Sequence, residues 1–104
     1  MSKVIVNAGV CGFNSVIDVT SEDGQMAVID FKTECPNLKP METELKEVDA
    51  YVEVFGKIGD TEIYQMCKKY CKHVSCPLPS AIIKGVEVAC NLALPHDVEM
   101  KITK

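Results

Sequence analysis

The chain has 104 residues, 47% of them hydrophobic and 25% charged, with no Trp, three Phe and three Tyr. That length fits one domain, residues 1–104, with an aliphatic core, and the composition excludes a disordered polymer. Fifteen acidic residues against eleven basic ones give a net charge of -4 and leave no basic stripe to neutralise phosphates, so nucleic-acid binding is not expected.

Residues 3–8 are rich in β-branched side chains and read as a first strand. Their apolar run is too short for a signal peptide, and no stretch approaches the ~20 apolar residues of a membrane span. Gly9-Val10-Cys11-Gly12 then turns the chain. Residues 15–20 form a second strand with Ile17 and Val19 on one face. Asp23-Gly24 supplies a hairpin turn, and residues 26–32 form a third strand with Ala27, Ile29 and Phe31 inward. After Cys35-Pro36, Leu38, Met41, Leu45 and Val48 recur at helical spacing, so a helix is expected over 41–48. Asp49 caps a short helix contributing Val52 and Phe55 to the core, and Gly56 ends it. Asp60 or Thr61 caps the next helix, with Ile63, Met66, Cys67 and Tyr70 on one face. The last helix runs from about Pro77 to Leu92. Val98, Met100 and Ile102 alternate with Glu99, Lys101 and Thr103, the pattern of a C-terminal fourth strand. The fold class is therefore α+β: a three-stranded antiparallel sheet, extended to four if 98–103 pairs, packed on one face by three to four helices.

The chain is expected to be cytoplasmic. Thiols stay reduced there, so its six cysteines read as ligands, redox groups or core fillers before disulfides. Cys67 and Cys90 sit mid-helix among apolar neighbours and read as core. Cys11, Cys35, Cys71 and Cys76 stand at turns or element ends, where side chains can reach a shared point. Four thiolates satisfy a zinc ion or an iron–sulfur cluster. His73 is a substitute ligand, and the start of the last helix should favour the Cys76 thiolate. An alternative is a sulfur carrier holding a persulfide on Cys76, because Cys76-Pro77-Leu78-Pro79 at a helix start resembles the motif of TusA-type proteins. Nothing suggests hydrolysis: Ser80 has no nearby His–Asp set, and no phosphate-binding glycine loop occurs.

Several motifs in order also resemble the NifU/IscU-type iron–sulfur scaffolds: Cys11-Gly12 after the first strand, Asp23-Gly24 between the next two, Phe31-Lys32-Thr33 before Cys35, and Cys76 opening the last long helix. The resemblance implies an antiparallel sheet packed by helices, with Cys11, Cys35 and Cys76 as ligands. It also implies a protein partner in sulfur or iron–sulfur metabolism, and a homodimer if a cluster bridges two chains. Phe13 and Ser75 stand where that family has Asp and His, and its Leu-Pro-Pro-Val-Lys stretch has no counterpart. With Cys71 as a fourth thiolate, these departures suit a more tightly held centre. The Cys-Gly-Phe and Cys-Pro-x-Pro features are shared with uncharacterised small proteins of anaerobic microbes, a kinship that implies no function.

Overall fold

The computed structural model describes residues 1–104 and contains four strands and four helices. Strands β1 (Ser2–Asn7), β2 (Asn14–Thr20) and β3 (Met26–Thr33) form an antiparallel meander. Period-two alternation decides which face is covered. Ile17, Val19, Ala27, Ile29 and Phe31 are all buried, while Val28, Asp30 and Lys32 face outward. In the β2–β3 turn the Asp23 carboxylate accepts from the Gln25 and Met26 N–H groups, both at 2.9 Å, and Gly24 takes the positive φ the turn requires.

The fourth strand is not the segment at 98–103. Helix α1 (Met41–Glu44) stops after one turn, and β4 (Glu47–Asp49) pairs antiparallel with the far edge of β3, in the order β1-β2-β3-β4. Leu38, Met41, Leu45 and Val48 are all buried as their spacing demanded, but a turn followed by a strand satisfies that burial as well as a helix does. Residues 93–104 form no strand, and Val98, Met100 and Ile102 are exposed.

Helix α2 (Ala50–Phe55) begins at Asp49, whose side chain accepts from the Tyr51 N–H. Its buried residues are Ala50 and Glu53, the latter only 3% exposed, whereas Val52 and Phe55 point to solvent. Glu53 accepts from the Glu62 and Ile63 N–H groups at 3.0 and 2.9 Å. It thereby satisfies two orphan donors at the start of α3 (Glu62–Tyr70), while the Thr61 side chain accepts from Tyr64. Helix α4 (Leu78–Ala89) lies across the sheet with Leu78, Ile82, Val86 and Ala89 inward. Its Gly85 lets it approach closely: an added Cβ would stand 3.2 Å from methyls of both Val4 and Val19. Ser2 Oγ donates to the Gly85 carbonyl at 2.7 Å. Phe31 is the one aromatic side chain in an otherwise aliphatic core. No helix is long and apolar enough to cross a membrane.

Candidate thiol site

Three segments bring cysteines to one end of the sheet. The β1–β2 turn follows the Asn7–Asn14 pair, and β3 ends beside it, because Thr33 pairs with Ser15 and the Glu34 N–H donates to the Asn14 carbonyl at 2.9 Å. The far end of α4 lies near Ser2 and Gly24, so its first residues lie at the Asn7–Thr33 end. Cys11, Cys35 and Cys76 therefore share this end.

Local bonds position each cysteine. The Ser15 and Thr33 hydroxyls meet at 2.8 Å in a buried cross-strand pair, and Thr33 Oγ1 also accepts the Cys35 N–H at 3.1 Å. The Glu42 carboxylate accepts the Thr33 N–H and pairs with Lys39, which ties α1 to the end of β3. Those two partners, the Thr33 amide foremost, hold the Glu42 carboxyl below its ordinary range. Cys71 caps the end of α3, its N–H donating to the Cys67 carbonyl at 2.7 Å. Tyr70, which precedes it, donates its hydroxyl to Glu44, and Lys69 pairs with the same carboxylate. The His73 carbonyl accepts from Cys71 Sγ at 3.4 Å and from the Cys76 N–H at 3.2 Å. His73 thus organises the loop through its backbone while the residue stays exposed.

Burial sets how the partly and fully buried thiols ionise. Burial pushes the Cys67 thiol up to about 12 from the ordinary 9.0, and the charges of Cys71 and Cys76 push the same way. Burial also pushes Cys76 up to about 11. The Leu78 N–H opposes this, and Cys71 beside it and the charge of Cys35 reinforce it. The expectation of a Cys76 thiolate is therefore corrected: one amide at the start of α4 does not offset partial burial among other thiols. Cys35, Cys71 and Cys76 are each partly buried against the core that contains Cys67. Cys11 lies exposed in its turn. As the side chains stand, no three His, Cys, Asp or Glu groups close on a point that would hold a metal ion. Two surface hollows, of about 450 and 210 Å³, include no cysteine.

Cys67 had been read as core, and it is buried. Cys71 lies four residues further on, just past the end of α3 in extended conformation, with its N–H donating to the Cys67 carbonyl. Cys90 is buried and belongs to the core cluster, as expected.

A family model matches residues 2–102. The chain belongs to DUF6951, a family of unknown function. No curated protein and no solved structure matches it. Membership in DUF6951 overturns the resemblance to NifU/IscU scaffolds. The motifs that suggested it have local causes in this DUF6951 chain: Gly12 and Gly24 adopt positive φ in turns, and Phe31 and Thr33 fill buried positions on β3.

Proposed function

We propose that this domain binds a thiophilic metal centre, a zinc ion or an iron–sulfur cluster, through Cys35, Cys71 and Cys76. What supports the reading is that Cys35 after β3, Cys71 at the end of α3 and Cys76 before α4 are each partly buried against the one core that also holds Cys67, with the Cys71 sulfur and the Cys76 N–H both donating to the His73 carbonyl. Clustered thiols repel one another once ionised, and a cation relieves that repulsion while displacing their protons. Because no three donors yet close on a point, ligation requires the loop between α3 and α4 to draw in toward Cys35. The fourth position falls to Cys67, which adjoins Cys71 and Cys76, or to Cys11 at the same end of the sheet.

The test is metal and sulfide analysis of protein purified and reconstituted without oxygen. The expected result is about one zinc per chain, or iron with sulfide. Serine variants at 35, 71 and 76 each lower the content, C90S leaves it unchanged, and C67S against C11S decides the fourth ligand. Protein that stays metal-free after reconstitution refutes the proposal. A persulfide on Cys76 draws less support, since the attacking species is a thiolate and burial keeps Cys76 protonated. That reading would require C76S to lose persulfide loading with metal content intact.

A further inference from the structure

The sheet has two edges with different defences. At one edge β4 is three residues long, a length that offers little to a passing strand. At the other, β1 is a regular six-residue strand with no proline and no bulge, and its only ladder partner is β2. Its Val4 and Val6 are only half-buried on the side that α4 covers, and Ile5 is 73% exposed on the open side.

The segment following α4 has the complementary deficit. Residues 94–104 make no backbone–backbone hydrogen bond. Val98, Met100 and Ile102 are 61%, 70% and 90% exposed, and they alternate with Glu99, Lys101 and Thr103. Such alternation has no use in an isolated solvated segment, because period two matters only where one face of a strand is covered. The six residues of 98–103 also match the six of β1 in length.

We propose that residues 98–103 of one copy pair with the open β1 edge of a second copy, so that two chains exchange strands reciprocally. Val98, Met100 and Ile102 then continue the helix-covered face beside Val4 and Val6, and Glu99 and Lys101 continue the open face beside Lys3. Reciprocal pairing closes under a two-fold axis, so no edge is left to propagate a fibre.

The experiment is sedimentation of the reduced 104-residue chain with chelator present, which removes any dimer bridged by metal or disulfide. The expected mass is twice the 11.4 kDa of one chain. Met100→Pro should halve that mass while leaving the circular dichroism of the folded domain unchanged, since position 100 is exposed and bonds nothing within its own chain. His96→Ala, outside the pairing segment, should leave the dimer intact. A monomeric wild type overturns the proposal, as does a dimer indifferent to Met100→Pro. Amide protection of residues 98–103 in a monomer also overturns it, by showing that the segment folds onto its own β1.

Discussion

Replacing Glu53 with alanine tests how the thiol site is held up. The carboxylate is almost fully buried on α2 and accepts two N–H groups from the first turn of α3, the helix that carries Cys67 and ends at Cys71. Truncation strands both donors where water cannot replace the acceptor, and a small cavity is added. Charge-assisted hydrogen bonds and helix caps of this kind together contribute about 2–4 kcal/mol. For a domain whose total stability is about 5–15 kcal/mol, that is a large fraction. At about 4–8 °C per kcal/mol, the midpoint of thermal unfolding should fall by about 8–32 °C. Urea melts read by circular dichroism give the free energy directly. Glu53→Gln keeps one acceptor oxygen and should lose about half as much. A Glu53→Ala protein within about 0.5 kcal/mol of wild type, the range of ordinary surface substitutions, would refute this account of the α2–α3 junction.

Two further outcomes follow from the same geometry. Gly56→Ala should cost about 1–3 kcal/mol in a urea melt, because its Cβ would sit 2.6 Å from the Val52 carbonyl oxygen and 2.9 Å from Thr61 Cγ2. In chelator-treated reduced protein, thiolate absorbance should show Cys67 and Cys76 ionising near 12 and 11, well above the ordinary 9.0. Since folding raises both values, the stability they contribute is complete below pH 9.0 and is lost as pH rises toward 11 and 12. Titration of Cys67 and Cys76 near 9.0 would contradict the burial that raises them.

The meander was legible because three signals agree there: alternation in β2 and β3, the Asp23-Gly24 turn, and an inward set ending in Phe31. The 41–48 segment was misread because its spacing carries no vote between a helix and a turn-plus-strand. What decides is the vacant edge of β3, where the Ile29 N–H meets the Lys46 carbonyl at 2.7 Å, and that edge exists only once the sheet has formed. The same limit hid Glu53. A glutamate among Val52, Val54 and Phe55 looks like the solvent side of a helix, and its burial depends on where α3 begins. Of the expected ligands, Cys35, Cys71 and Cys76 are partly buried against the core, whereas Cys11 lies exposed in its turn. Cys67 was legible as core, because it stands on the apolar face of α3 with Ile63, and it is buried there.

The α3–α4 junction places Cys67, Cys71 and Cys76 within one short stretch of chain, while Cys35 arrives from the far side of β3. Gathering the first three closes only small loops and costs little chain entropy, so they can meet early in folding. Cys35 joins only when the meander has its register. Under the proposed ligation, an ion taken first by Cys71 and Cys76 would therefore pull the sheet toward completion, and ligation by Cys35 would report that the whole domain had formed.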